Sequence, residues 1–338
     1  MVKDEDDTTQ IGWRLLDEVV AAASTPRHTN PWVSTGSATG PRFVPDFGTL
    51  QRLLAVPTLL ESKSQTGLPA LAIDIWVAYE LRRAGFDADS VWPRQRSPRI
   101  QPTPVTQLLK SLPIAERRLV EARLASSNAN GAVGASARVL GKHYFKQVDV
   151  VMSAWETGPE LLISTKRMDK SFNRNAANRV EESYGDAKNL RLRHPMAAMG
   201  FVYALNADAF RTKRDKAEWL LDLLAKLGRE ADAYDAVLLV VPNYEGLEAP
   251  ALEDGEDGDA LTDAGLEDDT DESVTAPSTD TGVTADTPRL EDLPLVGLLH
   301  DEVPEELSAS RFFETIVRLV LDRTPITQHK AARERLDV

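Results

Sequence analysis

Two charged residues in the centre of the chain stand where a carboxylate and a lysine can act together. Asp149 interrupts the apolar run FKQVDVVMSA, and Lys166 lies near the end of the next apolar run, ELLISTKRM. The short turn ETGP between the runs predicts an antiparallel hairpin, which would bring the two side chains within reach of each other. Such a pair can serve acid–base or metal chemistry. Taken alone, it fits a structural ion pair on the sheet surface equally well.

A third charged residue lies on the apolar face of a predicted helix. The segment LPALAIDIWVAYELRRAGF has helical periodicity, with Val77 and Leu81 on one face. Asp74 lies on that same face, where a carboxylate is costly unless it is paired or binds a metal ion. Glu80 lies on another face and is interpreted as a solvated charge.

The elements that position these residues alternate between helix and strand. After this helix come a short strand, a helical insert, two consecutive apolar strands, a helix, a strand, a helix and a final strand, AVLLVVP. Continuous apolar strands separated by helices are typical of an α/β fold whose sheet is covered on both faces. The hairpin makes the sheet mixed, and the core order is α-β-β-β-α-β.

This layout resembles the PD-(D/E)xK nuclease superfamily, to which restriction endonucleases belong, over roughly residues 68–242. In that family an acidic residue on the first core helix, often in a frame like ExxVAxxLxxxGF, precedes an Asp and then an (E/D)xK on adjacent strands. The matching positions here are Asp74, Val77, Ala78, Leu81, Gly85 and Phe86 for the frame, Asp149 for the Asp, and Ser164-Thr165-Lys166 for the last element. The resemblance implies a restriction-endonuclease-like mixed sheet flanked by helices, with extra N-terminal helices.

Ser164 departs from the family pattern, because it cannot supply the negative charge that Mg²⁺ prefers where the second acid is expected. Some restriction enzymes of this fold have Ser-x-Lys and carry the missing carboxylate on the following helix. That helix offers Glu181 and Glu182 here. Spacing relative to an apolar face through Val180 and Tyr184 favours Glu181 as the residue that leans toward the sheet.

The resemblance implies a Mg²⁺-dependent endodeoxyribonuclease of the type II restriction kind, which hydrolyses double-stranded DNA at a specific sequence in a restriction-modification system. Asp149 and Glu181, together with Asp74, would hold Mg²⁺, and Lys166 and Ser164 would complete the catalytic set. Restriction enzymes of this fold are commonly oligomers, so a homo-oligomer is also implied. The alternative is a catalytically inactive DNA-binding subunit of a defence or DNA-processing complex.

Basic residues are concentrated beside this candidate site. Between residues 166 and 193, eight basic residues face four acidic ones, a net charge of +4. A second basic stretch, WPRQRSPR, follows an extended, proline-containing path. Cationic and amide side chains are suited to phosphates and base edges. The residues predicted to contact DNA are Arg94, Arg96, Arg167, Lys170, Arg174, Asn178 and Arg179.

The net charge of −14 is unevenly distributed along the chain. Residues 245–292 contain 17 acidic residues and one basic residue, so this segment carries −16 and the remainder +2. The composition of this segment predicts disorder, and we expect the segment to compete with DNA for the basic residues of 166–193. The chain has no cysteine, no apolar run long enough to span a membrane and no secretory signal, which favours a cytoplasmic protein.

Four regions follow from these patterns. They are an N-terminal helical region (1–67), a nuclease-like core (68–244) with a helical insert (101–137), a disordered acidic linker (245–292) and a C-terminal helix that docks on the core (293–338). In the last region Phe312, Phe313 and Val320 have helical spacing, and Ser308 is the predicted N-cap.

Overall fold

The computed structural model describes residues 2–24, 30–36, 40–61, 67–95, 97–124, 137–168, 176–247, 249 and 288–337. The helices of these residues are α1 (Val2–Ala23), α2 (Phe47–Leu59), α3 (Leu68–Arg83), α4 (Thr103–Ser111), α5 (Ile114–Leu124), α6 (Ala176–Arg191), α7 (Asp208–Thr212), α8 (Arg214–Leu227), α9 (Ala309–Arg323) and α10 (Lys330–Leu336). The strands are β1 (Trp32–Val33), β2 (Arg42–Phe43), β3 (Val91–Trp92), β4 (Ala137–Leu140), β5 (Phe145–Val148), β6 (Val150–Ala154), β7 (Gly158–Met168), β8 (Ala198–Leu205), β9 (Ala236–Val240), β10 (Pro242–Asn243) and β11 (Gly297–Leu298).

A five-stranded mixed sheet forms the centre of the molecule, in the order β3-β6-β7-β8-β9. Strand β6 pairs antiparallel with β3 and β7, whereas β7, β8 and β9 run parallel. The mixed sheet and the β6–β7 hairpin predicted from the sequence are therefore confirmed. So is the order α-β-β-β-α-β, which is formed by α3, β3, β6, β7, α6 and β8.

The two faces of the sheet bury separate apolar clusters. On one face, α3 and α9 cover Leu161 and Ile163 of β7. On the other face, α6 and α8 cover Leu162 and Met168 of the same strand. The strand supplies alternate residues to the two clusters because successive side chains point to opposite faces. Burial on both sides explains why these strands are apolar throughout.

The run FKQVDVVMSA is one predicted strand that the structure divides in two. Strand β5 pairs with β4 to form a separate two-stranded ribbon, and β6 belongs to the central sheet. The division falls at Asp149, a residue type that is depleted in strands. The chain therefore changes sheets at the residue whose carboxylate is of most chemical interest.

The C-terminal helix docks on the sheet as predicted. Helix α9 buries Phe312, Phe313 and Val320 in the cluster that it shares with α3. The Ser308 hydroxyl accepts a hydrogen bond from the backbone N–H of Arg311 at 3.3 Å, which confirms Ser308 as the N-cap.

Helices α1 and α2 share their core with the sheet. Leu15 of α1 and Leu50 of α2 lie in the same buried cluster as Trp76 of α3. Glu80 of α3 accepts a hydrogen bond from the backbone N–H of Asp46, the N-cap of α2, at 2.6 Å. The described part of residues 1–67 is thus packed directly on the first core helix.

Glu80 is fully buried, and its interpretation as a solvated charge is wrong. Its carboxylate pairs with the Arg83 guanidinium at 2.7 Å, one turn along α3. Burial raises the pKa of Glu80 to about 7, while the Arg83 charge opposes that rise. Glu80 therefore links α2 to α3.

The helical insert after β3 consists of α4 and α5, which Pro113 separates. Most of the predicted acidic linker, residues 250–287, lies outside the described residues. On either side of it, Leu247 and Leu290 pack against the cluster of α3 and α9. None of the described helices is long and apolar enough to cross a membrane.

Candidate active site

Strand β7 distributes the candidate residues between its two sides. Leu162 and Met168 face α6, whereas Leu161 and Ile163 face α3. By the same alternation Ser164 and Lys166 point toward α6, and Thr165 points toward α3. The motif Ser164-Thr165-Lys166 therefore presents chemical groups to both sides of the strand.

Asp149 lies beside β7 at the point where the chain leaves the ribbon for the central sheet. Its backbone N–H donates to the carbonyl of Ile163 at 3.2 Å. Its carboxylate Oδ2 accepts a hydrogen bond from the backbone N–H of Thr165 at 2.6 Å. The sequence prediction that the hairpin brings Asp149 to the Ser-x-Lys motif is confirmed by these two contacts.

Asp74 approaches the same place from helix α3. It is 7% exposed, and its Oδ1 is buried without a hydrogen-bond partner among the described residues. Burial raises the pKa of the Asp74 carboxyl well above its ordinary value and the charge of Asp149 raises it further, while the nearby Thr165 side chain opposes the rise. Two carboxyl groups whose ionisation is mutually unfavourable form a site that a divalent cation would stabilise.

Helix α6 supplies a third carboxylate, and it is not the one predicted. Glu182 Oε1 lies 4.0 Å from the Lys166 amine, although the Glu182 side chain is 46% exposed and Glu181 is exposed as well. The buried stripe of α6 runs through Val180, Ser183 and Ala187 rather than through Val180 and Tyr184, so the helix is rotated from the expected orientation. The prediction that Glu181 leans toward the sheet and Glu182 does not is corrected accordingly.

Lys146 and Asp186 form a buried ion pair next to Glu182. The Lys146 amine lies 2.8 Å from Asp186 Oδ2 and 3.8 Å from Glu182 Oε1. The Tyr144 hydroxyl donates to Asp186 Oδ1 at 3.0 Å, and burial together with the Asp186 charge raises the pKa of Tyr144 to about 12. These contacts hold Glu182 between two lysines.

Sequence reasoning missed Lys146, Asp186 and Tyr234. The Tyr234 hydroxyl donates to the Ser183 carbonyl at 2.9 Å, and burial followed by the Asp186 charge raises the pKa of Tyr234. One signal was available for Lys146, since a lysine within an apolar run requires a buried acid. Another was the i, i+4 spacing of Glu182 and Asp186, which places both on one face of α6.

Asp149 and Asp74 are the two carboxylates of the site that could hold a magnesium ion. Mg²⁺ is usually held by one or two carboxylates while water and substrate phosphates fill the other positions. Asp149 and Asp74 provide two carboxylates, and the buried Oδ1 of Asp74 has no protein partner among the described residues. No group of three or more acidic, histidine or cysteine side chains in the described part of the chain is arranged around one point, so a single ion would depend on substrate oxygens as well.

The residues predicted to contact DNA fall into three groups. The Arg94 guanidinium is 4% exposed and is bound by Asp89 at 2.9 Å and by Gln101 at 2.9 Å, so it is not available to a phosphate. Arg167 is likewise buried, at 8% exposure. Outside the described residues lie Arg96, Lys170 and Arg174 and the side chains of Asn178 and Arg179.

No family model, no curated protein and no solved structure matches this chain. Its function is therefore inferred from the geometry and the chemistry of the site.

Proposed function

We propose that this protein is a Mg²⁺-dependent endodeoxyribonuclease of the type II restriction kind, acting on double-stranded DNA. The observations that support the proposal best are two contacts of the Ser164-Thr165-Lys166 motif: the Asp149 carboxylate accepts from the Thr165 backbone N–H at 2.6 Å, and Glu182 lies 4.0 Å from the Lys166 amine. Asp74 joins them from α3 with a buried carboxylate oxygen that has no described partner. Carboxylates that can hold a metal ion and a fixed cation are group types that serve the hydrolysis of a phosphodiester.

Each residue has a distinct task in this proposal. Asp149 and Asp74 would hold Mg²⁺, which when bound would neutralise charge on the scissile phosphate and acidify a nucleophilic water. Lys166 places a fixed ammonium beside the phosphate, where it stabilises the negative charge that develops in the transition state. Glu182 lies 4.0 Å from that ammonium and orients it.

Ser164 supplies a neutral hydroxyl where an acid would add a further negative charge. Glu182, from the following helix, makes up for that missing charge on the same side of β7. Compared with the family pattern, the carboxylate near Lys166 would come from helix α6 instead of from strand β7, and the number of carboxylates would stay the same. The relocation inferred from the sequence is retained, with Glu182 in place of Glu181.

The proposed substrate class is supported by the charge of residues 166–193. Residues 166–193 carry a net charge of +4 inside a chain whose total is −14. Arg167 is buried, and Lys188 and Arg191 pair with Asp232 and Asp235, so the charge offered to a polyanion's backbone would come from the other basic residues of the stretch. Recognition of a specific sequence and assembly into a homo-oligomer are part of the proposal through the family resemblance.

The decisive experiment is incubation of the purified protein with supercoiled plasmid in Mg²⁺ and in EDTA. We expect nicked and linear products with Mg²⁺ alone. Lys166→Ala should abolish the products without reducing DNA binding, and Lys226→Ala, which removes an exposed lysine from α8, serves as the matched control. If the protein bound DNA but did not cleave it in Mg²⁺, Mn²⁺ or Co²⁺, the proposed nuclease activity would be rejected.

That last outcome would favour a second candidate, a non-catalytic DNA-binding subunit. The observation behind it is that Glu182 lies between Lys166 and Lys146, which neutralise its charge. A carboxylate neutralised in this way is a weaker ligand for a cation. The plasmid assay separates the two candidates because only the enzyme produces new DNA ends.

A further inference from the structure

The ribbon of β4 and β5 has one buried side and one exposed side. Strand register places Arg138 opposite Gln147, and Leu140 opposite Phe145. Lys146 and Val148 point inward and are buried, whereas Phe145 is 57% exposed and Arg138 is exposed. The outward side of the ribbon therefore carries the exposed Arg138 guanidinium and Phe145 ring next to the half-buried Gln147 and Leu140.

The outward side has the chemistry of a surface that binds a polyanion. The Arg138 guanidinium lies over the Phe145 ring at 5.6 Å from its centroid. Residues 137–148 include Arg138, Lys142 and Lys146 and contain no acidic residue. Lys146 points inward and pairs with Asp186, so the positive charge open to solvent on the ribbon comes from Arg138 and Lys142, and it complements a nucleic acid backbone.

The ribbon is fixed rigidly to helix α6. The backbone N–H of Lys142 donates to the carbonyl of Asn189 at 2.8 Å, and the Asn189 amide donates to the carbonyl of Tyr144 at 3.1 Å. The Asn189 side-chain oxygen accepts from the backbone N–H of His143 at 2.9 Å. Asn189 is thus used within the protein rather than on a base edge, and it holds the turn of the ribbon in place.

We propose that the ribbon of β4 and β5 lies in the major groove of duplex DNA and reads its sequence through Arg138, Phe145 and Gln147. This inference rests on the proposed nuclease function and assigns its specificity to an element. The major groove admits a two-stranded ribbon, where arginine pairs with guanine, glutamine with adenine, and an apolar side chain contacts the thymine methyl group.

The ribbon leads directly into the candidate site along the chain. Gln147 precedes Asp149 by two residues, which is about 7 Å of extended chain. A contact between the ribbon and a base pair therefore fixes the register of the scissile phosphate at Asp149. Bases read by the ribbon would lie within a few base pairs of the cleaved bond.

A photocrosslinking experiment tests the contact directly. We would introduce Phe145→benzoylphenylalanine in the full chain, add labelled duplex of random sequence in EDTA, and irradiate. Trp219→benzoylphenylalanine, at an exposed aromatic on α8, is the matched control. We expect a crosslink to DNA from position 145 and none from position 219. Bound DNA with no crosslink at position 145 would overturn the assignment while leaving the nuclease proposal intact.

A second measurement tests specificity in the same proteins. Ends produced from a plasmid pool in Mg²⁺ are sequenced for wild type, Arg138→Ala, Gln147→Ala and the control Arg311→Ala, an exposed arginine on α9 across the sheet. We expect the base preference near the cut to relax by at least tenfold in the two ribbon variants and to persist in the control. Unchanged base preference in both ribbon variants would contradict the inference, whereas the absence of any ends in wild type would reject the nuclease proposal itself.

Discussion

Glu182, and not the predicted Glu181, is the glutamate of α6 that approaches Lys166. Its carboxylate lies 4.0 Å from the Lys166 amine and 3.8 Å from the Lys146 amine, although its side chain, like that of Glu181, is exposed. We expect Glu182→Ala to reduce cleavage of plasmid by roughly 10²-fold or more, the usual cost of removing a charged group that acts in the transition state. Glu181→Ala should cleave at the wild-type rate in the same single-turnover assay. An equal loss of cleavage in both variants would show that the effect is not specific to Glu182.

Asp74 provides a prediction about stability and pH. Because burial and Asp149 raise the pKa of Asp74 in the folded protein, folding favours its protonated form, and this contribution to stability is lost as the pH rises through the folded pKa. Asp74→Asn should therefore raise the free energy of unfolding at pH 8 in EDTA, and the gain should shrink toward pH 4. Urea denaturation at a series of pH values measures it.

Asp74→Asn also distinguishes an effect on Mg²⁺ binding from an effect on the stability of the fold. Saturating Mg²⁺ stabilises a protein that binds it when folded, by about 2.7 kcal/mol at a hundred times the dissociation constant. We expect wild type to gain thermal stability on addition of Mg²⁺ and Asp74→Asn to gain little. Asp186→Asn is the control, since its loss leaves the buried Lys146 amine without its closest acid and should destabilise the protein with or without Mg²⁺. A destabilised Asp74→Asn in EDTA would contradict the unfavourable pairing with Asp149.

The sequence predicts well which helices and strands form and in which order they follow one another. It predicts poorly which face of a helix packs on the sheet. Apolar runs and helical periodicity were sufficient for the mixed sheet, the β6–β7 hairpin and the docking of α9, because each depends on local pattern and burial. The rotation of α6 depends on small residues such as Ser183 and Ala187, which pack closely on the sheet. Hydrophobic spacing gives such residues little weight, so the face that carries Glu182 could not be predicted.

The ribbon was missed for a related reason. The run FKQVDVVMSA has the composition of one strand, and only tertiary pairing shows that β5 leaves the central sheet at Asp149. Likewise, the basic stretch WPRQRSPR predicts surface contacts, but Arg94 is buried by Asp89, which pairs with it, and by Gln101. A count of charges cannot distinguish an exposed arginine from one enclosed by partners.

The close contact between the ribbon and α6 yields a prediction with a matched control. A Cβ at Gly141 would lie 2.1 Å from the Asn189 amide nitrogen, whereas a Cβ at Gly185, within α6, would meet nothing within 4 Å. Gly141→Ala should lower the free energy of unfolding by about 1–3 kcal/mol, as overpacking does. Gly185→Ala should raise it by roughly 0.5–1 kcal/mol, because alanine is the better helix former. Chemical denaturation of both variants provides the comparison, and a stabilised Gly141→Ala would contradict the close packing of the turn.

At the scale of the whole molecule, the charge of the chain is divided between a nearly neutral body and one acidic segment. Residues 250–287 contain 13 acidic residues and no basic residue. The chain on either side of the segment is tied together, because β10 and β11 pair through Asn243 and Gly297. The acidic segment is thus joined at both ends to a protein whose proposed substrate, DNA, is also a polyanion.

Tethering at both ends keeps the acidic segment at a high local concentration, so it should compete with DNA for basic side chains. We expect a full-length variant, with the 13 acidic residues of 250–287 changed to their amides, to bind random duplex on the order of tenfold more tightly at low salt. Fluorescence anisotropy across a salt series measures this. The plot of log affinity against log salt should also become steeper, since cations freed from the segment would contact phosphates instead. A scrambled segment of unchanged composition is the control and should behave as wild type, because competition of this kind depends on charge and not on order. If the neutralised segment left both the affinity and its salt slope unchanged, the acidic residues would act on solubility alone, and the basic side chains would be open to DNA at all times.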